Sequence, residues 1–166
     1  MPTKILVTCH ARAPMTRAVA HEVASALHAD VDLFIPRQTN DGLVGWLRSA
    51  YETTFDRPTD IVAPARNLDA YDVIVIGSPA SRGSVASPVR TYIERQRARL
   101  RTVALFTTCD DHAGEQAVEQ MMGLCGRDPL ARLVVREADI RAGRAHVDVV
   151  AFAHRIAARA ARRAAA

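Results

Sequence analysis

The chain has 166 residues, of which 49% are apolar, and it carries a formal net charge of +4. This length suits one domain with a sizeable core, and we expect residues 1–166 to form that single domain. The low glycine and proline content excludes a collagen-like chain, and no apolar run approaches the roughly 20 residues that a membrane-spanning helix needs. Because no export signal is recognisable, we expect a cytoplasmic protein that does not bind membranes.

The charged residues and the cysteines narrow the partners further. Among the 22 basic residues only Lys4 is a lysine, and this excess of arginine, together with abundant alanine, is typical of GC-rich coding. Acidic residues are interspersed with the arginines, so no basic stripe predicts a groove for nucleic acid. Three cysteines cannot all pair, which excludes a disulfide scaffold and favours reduced thiols.

Apolar, β-branched runs predict five strands along the chain. They cover residues 4–8, 31–35, 73–76, 103–106 and 133–135. The first, third and fourth runs show no alternation of apolar and polar residues, as expected for parallel strands that helices cover on both faces.

Helical patterns alternate with these strands. They begin near Thr16, at residue 43, after Ser87, after Gly114 and near His146. Ser87 is predicted to cap the third helix with Pro88 at its first position, and Gly126 is predicted to end the fourth. The second helix, over residues 43–55, has the weakest pattern. Residues 56–70, with Pro58 and Pro64, are predicted to form a surface connection.

The alternation of strands and helices predicts a single doubly wound sheet with right-handed crossovers. In such sheets, ligands bind at the carboxyl ends of the strands, where the strand order reverses. Three loops would then form a site, namely residues 9–16, 78–87 and 107–114.

Three segments of the sequence carry a resemblance to a known family. The longest reads Tyr-Asp-Val-Ile-Val-Ile-Gly-Ser-Pro over residues 71–79, followed by Gly83-Ser84 and by Ser-Pro-Val-Arg-Thr-Tyr-Ile over residues 87–93. The other two segments are residues 4–8 with 16–20, and residues 103–108 with Gly114. Together they resemble the flavodoxin-like family, in particular small bacterial flavodoxin-family proteins and FMN-dependent reductases. The resemblance implies an α/β fold with a doubly wound, five-stranded parallel sheet of order 2-1-3-4-5 and helices on both faces.

In that family the loops after strands one, three and four hold FMN. The resemblance therefore implies FMN as the cofactor, and it assigns to cofactor binding the residues His10, Arg12, Met15, Thr16, Pro79, Ala80, Ser81, Arg82, Gly83, Thr108, Cys109, Asp110 and Gly114. It assigns no catalytic side chain and no metal ligand, because the flavin itself carries the redox chemistry.

The first loop departs from the family pattern Ser/Thr-x-Thr-Gly-x-Thr, since residues 11–16 read Ala-Arg-Ala-Pro-Met-Thr. Hydroxyls are missing, and Pro14 replaces the flexible glycine and removes one N–H donor. Thr16 and the helix dipole remain, and Arg12 or Arg17 can supply a charge-assisted contact to a phosphate.

The second loop lacks the aromatic residues that the family places over the flavin ring. Ala80, Ser81 and Arg82 stand there instead. The flavin ring would therefore stack on the guanidinium of Arg82, or on Trp46 or Tyr51 from the preceding segment.

Other chemistry is also open to these loops. Cys9 follows the first strand as the nucleophile does in low-molecular-weight phosphatases, but that reaction needs an arginine six positions later, where this chain has Met15. An inert thiol is the favoured interpretation. Zinc could be bound by residues drawn from the set Cys9, His10, Cys109, Asp110, Asp111 and His112. We favour Asp110 or Asp111 as the N-terminal cap of the fourth helix.

We therefore expect an FMN-binding redox protein, leaning towards an FMN-dependent oxidoreductase, that exchanges electrons with a small molecule or a protein partner. The alternative is a flavodoxin-fold protein that has lost FMN and serves as a binding or subunit protein. The substitutions in the first loop favour this alternative, because fold and function are separable. A homodimer is compatible with either function.

Overall fold

The computed structural model describes residues 2–35, 61–62, 64–110 and 112–166. The strands are β1 (Ile5–His10), β2 (Asp30–Phe34), β3 (Val73–Ser81), β4 (Ser84–Val85), β5 (Val103–Cys109) and β6 (Arg132–Arg136). The α-helices are α1 (Pro14–Leu27), α2 (Ser87–Gln96), α3 (Gly114–Cys125), α4 (Glu137–Arg141) and α5 (His146–Ala164), and a 3₁₀ turn covers Leu68–Ala70. The helix predicted over residues 43–55, with Trp46 and Tyr51, lies outside the described residues.

The longer strands form one parallel sheet in the order β2-β1-β3-β5-β6. This confirms the predicted fold class and the predicted order of the five parallel strands. The strand β4 was not predicted. It pairs antiparallel with the end of β3, off the main path of the sheet. The strand order reverses between β1 and β3, which makes their carboxyl ends the expected position of a ligand.

Helices cover both faces of the sheet. On one face, Val7 and Val75 pack with α1 and α5 through residues such as Val23 and Phe152. On the other face, strand residues such as Ile74 pack with α2 and α3. Successive strand side chains point to opposite faces, so double coverage buries both sets. This burial explains the lack of alternation in the central apolar runs.

The helix ends follow local backbone chemistry. Gly126 ends α3 with a φ of +66°, as predicted, and its N–H bonds back to the last turn. His28 caps the carboxyl end of α1 with a φ of +50°. The prediction that Ser87 caps α2 is wrong. Ser87 is already helical, and Ala86 occupies the N-cap without a side-chain hydrogen bond.

Among the helices of the described ranges, none combines the length and the apolarity required to cross a bilayer.

Close packing in the middle of the sheet depends on Gly77 of β3. A Cβ atom at this position would lie 2.1 Å from Cζ of Phe106. The Phe106 ring fills the space that a side chain would take and meets Phe152 of α5 edge-on, with a centroid distance of 6.4 Å. The absence of a side chain at residue 77 thus allows a buried aromatic pair to link β5 to α5.

We predict that Gly77→Ala destabilises the protein by at least about 2 kcal/mol, because the added methyl group must displace a buried ring. Gly123→Ala in α3 is the matched control. A Cβ atom there meets nothing within 4 Å, so this variant should gain up to about 1 kcal/mol from helix propensity. Urea unfolding of the two variants and the wild type measures both effects. Equal stability of the two variants would contradict the packing assignment.

Candidate functional site

The candidate site lies at the carboxyl ends of β1, β3 and β5. Cys9 of β1 is in register with Gly77 of β3, and Ala80 of β3 is in register with Cys109 of β5. Strand β3 therefore separates the first predicted loop from the third, as expected. The first turn of α1 reaches back across this gap towards β5, so side chains of both loops meet.

The first loop is a tight turn that uses much of its own hydrogen-bonding capacity. The N–H of Ala11 donates to the carbonyl of Phe34 at 3.0 Å, and the N–H of Ala13 donates to the carbonyl of His10 at 3.3 Å. The guanidinium of Arg17 donates to the carbonyl of Ala11 at 3.1 Å. Backbone groups that could have faced a ligand are thereby committed to the fold.

The amino terminus of α1 nevertheless has the properties of an anion site. The helix begins at Pro14, and its N-cap residue Ala13 makes no side-chain hydrogen bond. No acidic residue stands in the first turn, and the flanking residues Arg12 and Arg17 are both exposed. The first amides of a helix have no partner within the helix, and its dipole places positive charge there. A bound anion would accept hydrogen bonds from these amides and would be attracted by the dipole.

Thr16 and Thr108 form the contact that joins the first loop to β5. Their hydroxyl oxygens lie 2.6 Å apart. Thr16 and Thr108 are each 0% exposed. The structure thus brings together two residues that the sequence assigned to cofactor binding, but it places both behind the surface of the site. Their assignment as ligand contacts stays a prediction.

The second predicted loop is largely a β-hairpin. Strand β3 continues to Ser81, and β4 returns after the two turn residues Arg82 and Gly83. These have φ values of +51° and +78°, and positive φ at both positions is typical of a type I′ turn. The prediction of a loop over residues 78–87 was wrong in form, because a two-residue strand leaves no periodic pattern in sequence.

Two glutamines of α3 hold this hairpin in place. The side-chain oxygen of Gln120 accepts a hydrogen bond of 2.8 Å from the N–H of Val85. Gly83 lies so close to Gln116 that a Cβ atom would be 2.3 Å from its side-chain oxygen. Sequence reasoning missed both residues. Their i,i+4 spacing on one face of α3 was the available signal.

At the base of the hairpin, the hydroxyl of Ser78 donates to the carbonyl of Pro79 at 2.7 Å. The same oxygen accepts from the N–H of Ala86 at 3.2 Å. Pro79 and Ala80 are half-buried, whereas Ser81 and Arg82 are exposed at the tip. The predicted wall of the site is therefore a supported hairpin with an arginine at its end.

The third loop lies beside α4, which the sequence analysis did not predict. Asp110 does not cap α3, whose N-cap is Ala113 without a side-chain hydrogen bond, so that prediction is wrong for Asp110. Its carboxylate lies 4.0 Å from the guanidinium of Arg141, which also binds Glu137 at 2.8 Å. Burial, and then the neighbouring Asp110 carboxylate, raise the pKa of Glu137. Asp111 lies outside the described residues.

The sequence analysis overlooked Glu137 and Arg141 because a helix of five residues is too short for a periodic pattern. Their i,i+4 spacing with opposite charge was a usable signal for a local helical turn. Deeper in the same loop, the hydroxyl of Thr107 donates to the carbonyl of Gly114 at 3.3 Å, which ties the end of β5 to the start of α3.

His10 ends β1 in a partly buried position. Its ring lies 6.2 Å from the ring of Phe34, and its Nε2 atom is buried with no hydrogen-bond partner among the described residues. Burial, and then the positive charge of Arg12, lower the pKa of His10 to about 4. The imidazole is therefore neutral at physiological pH.

The thiols do not have the environment of nucleophiles. Cys9 is fully buried, and burial raises its pKa to about 12 despite the opposing charge of Arg17. A phosphatase nucleophile needs a thiolate, so the favoured interpretation of an inert thiol is consistent with the structure. Among the residues that the structure describes, no group of three His, Cys, Asp or Glu side chains is placed to hold a metal ion.

Comparisons with known proteins are informative at the level of structure. No protein-family model matches the sequence, and no curated protein does. The FMN complex of a flavoprotein from Lactobacillus acidophilus NCFM is similar with a TM-score of 0.67 at 16% identity, covering 84% of this chain and 97% of that one. Reduced Megasphaera elsdenii flavodoxin is similar with a TM-score of 0.55 at 18% identity, and the match covers 96% of this chain and 99% of that one.

A third structure comes from Bacteroides uniformis ATCC 8492, where the flavoprotein assignment is provisional. It gives a TM-score of 0.69 at 19% identity and covers 89% of this chain and 99% of that one. At such identities the likeness shows the fold and no shared chemistry.

We predict that His10 makes the protein less stable in acid. The unfolded chain takes up a proton near pH 6.5, whereas folded His10 resists protonation until about pH 4. This contribution to stability is present above pH 6.5 and is lost as the pH falls towards 4. Between pH 7 and pH 4.5 the free energy of unfolding of His10→Gln should therefore fall by about 2 kcal/mol less than that of the wild type. Urea unfolding at both pH values tests this, and parallel losses in the two proteins would refute it.

Proposed function

Because the chain has the flavodoxin-like fold, we propose that it binds FMN and exchanges electrons with a small molecule or a protein partner in the cytoplasm. The observation that carries the proposal is the uncapped amino terminus of α1, flanked by Arg12 and Arg17 at the point where the strand order reverses. The similar flavoprotein from Lactobacillus acidophilus, which binds FMN, supports the choice of ligand.

The residues at α1 fit the phosphate end of FMN. A phosphate monoester needs N–H donors and positive charge, and the first turn of α1 offers amides without a side-chain cap. Arg12 lies two residues before the start of α1 and supplies a guanidinium that can form charge-assisted hydrogen bonds. Arg17 stabilises the loop through the carbonyl of Ala11 and adds positive charge. No carboxylate of the first turn opposes the anion.

The β3–β4 hairpin and the third loop fit the ring end of FMN. When bound, the flavin supplies the redox chemistry by accepting and releasing electrons. Gln120 bonds to the hairpin and Gln116 packs beside Gly83, so Pro79 and Ala80 can form one wall of the site. The positive charge of Arg82 would favour an anionic reduced ring, and Asp110 would oppose it. Arg141, held against Asp110, would weaken that opposition.

A flavin-free binding or subunit role remains the second candidate, and two observations favour it. The N–H groups of Ala11 and Ala13 are committed to carbonyls of the fold, and the hydroxyl of Thr16 is sealed from solvent. Fewer donors remain for a phosphate than the family pattern provides. We therefore expect FMN affinity to be lower than is usual for the family, with Arg12 making a large contribution.

We predict that the purified protein binds FMN more tightly than riboflavin, and that Arg12→Ala weakens FMN binding about tenfold by removing a charge-assisted contact. Riboflavin has no phosphate, so its affinity should stay within about twofold of the wild-type value. Arg155→Ala, at an exposed position of α5, is the matched control and should bind both flavins as the wild type does. Titration followed by flavin fluorescence measures all three proteins. If millimolar FMN leaves the wild type without bound flavin, the FMN proposal is contradicted and the flavin-free role is favoured.

A further inference from the structure

A hydrogen bond between two threonine side chains connects the two halves of the candidate site. The hydroxyls of Thr16 and Thr108 lie 2.6 Å apart although the residues are 92 positions apart in sequence. Thr16 belongs to the first turn of α1, and Thr108 is the second-last residue of β5. The bond therefore spans β3, which lies between β1 and β5 in the sheet.

Neither hydroxyl is placed to touch a ligand. Thr16 and Thr108 are each 0% exposed, so a molecule at the surface of the site meets other atoms first. The family pattern led to the expectation that Thr16 contacts the phosphate. In this structure its side chain points instead to β5, and its hydroxyl bonds to that of Thr108.

We infer that Thr108 is a positioning residue for the phosphate group of the ligand, acting through Thr16. This inference rests on the proposed function, since it concerns how the α1 amides are aimed at an FMN phosphate. The Thr16–Thr108 bond fixes the first turn of α1 relative to β5. Thr108 thus sets phosphate affinity from the far side of β3 without touching the phosphate.

Apart from the bond from Ala11 to the carbonyl of Phe34 in β2, the other bonds at this end of α1 among the described residues are local. The N–H of Ala13 bonds to His10, the N–H of Arg17 bonds to Ala13, and the Arg17 side chain bonds to Ala11. These contacts shape the turn, but they do not fix its position relative to β5. Hydrogen bonds weaken steeply as their angle departs from linear. A small rotation of the first turn would therefore reduce the contribution of the amides to anion binding.

The same bond couples the phosphate end to the ring end. Thr108 pairs in register with Pro79 of the hairpin wall, and Cys109 and Asp110 follow it in the third loop. A shift of β5 at this point must therefore either carry the first turn of α1 with it or break the Thr16–Thr108 bond. Phosphate binding and the ring-side loops consequently share one rigid connection.

The test compares FMN and riboflavin affinities in variants of both threonines. Thr108→Val removes one hydroxyl at nearly constant volume and should weaken FMN about tenfold while riboflavin changes less than about twofold. Thr108→Ser keeps the hydroxyl and should restore the ratio of the two affinities. Thr107→Val is the matched control. It removes a neighbouring buried hydroxyl that bonds to Gly114 and should leave that ratio unchanged.

Thr16→Val separates positioning from direct contact and also serves if Thr108→Val does not fold. If the hydroxyls act only through their mutual bond, Thr16→Val should weaken FMN as much as Thr108→Val does, and the double variant no further. A loss with Thr16→Val that is absent with Thr108→Val would overturn the inference, because Thr16 would then contact the phosphate itself. So would an unchanged affinity ratio in both variants. If the wild type binds neither flavin, the proposed function fails first and the inference with it.

Discussion

Burial of both faces of the parallel sheet is the constraint on which the rest of the structure depends. Parallel strands need crossover helices, and two layers of helices cover the sheet here. This arrangement places the amino termini of α1, α2 and α3 at the carboxyl edge of the strands. Helix α1 begins after Ala13 without a side-chain cap, whereas the N–H of Ala86 at the start of α2 donates to the hydroxyl of Ser78. The amino terminus of α1 therefore lies at the edge where a ligand is expected, and its dipole favours an anion there.

What the carboxyl edge of the sheet can bind depends on which of its polar groups already form hydrogen bonds within the protein. The first loop commits the N–H groups of Ala11 and Ala13 to carbonyls, and Thr16 bonds to Thr108. Exposed Arg12 and Arg17 provide charge where the family pattern provides hydroxyls. The balance of these effects favours an anion site with few backbone donors and strong dependence on arginine. That balance also explains why a flavin-free role stays a serious alternative.

The sequence was informative wherever structure follows from a repeated local pattern. The apolar runs predicted the parallel strands, and Gly126 predicted the end of α3, because both depend on neighbours in sequence. The short elements β4 and α4 were missed, since two and five residues cannot establish a period. Asp110 or Asp111 was predicted to cap α3 from its position just before the helix, but the Asp110 carboxylate lies 4.0 Å from the guanidinium of Arg141. The Thr16–Thr108 bond is a product of tertiary packing, so no local signal could reveal it.

The most direct test of the central claim is an amide NMR titration of the protein with FMN and, separately, with riboflavin. The account predicts that FMN shifts the amide resonances of residues 11–17 and of the β3–β4 hairpin, whereas riboflavin shifts the hairpin and leaves residues 11–17 nearly unchanged. This difference would locate the phosphate at the amino terminus of α1. Identical shifts with both ligands, or shifts confined to other parts of the chain, would contradict the account.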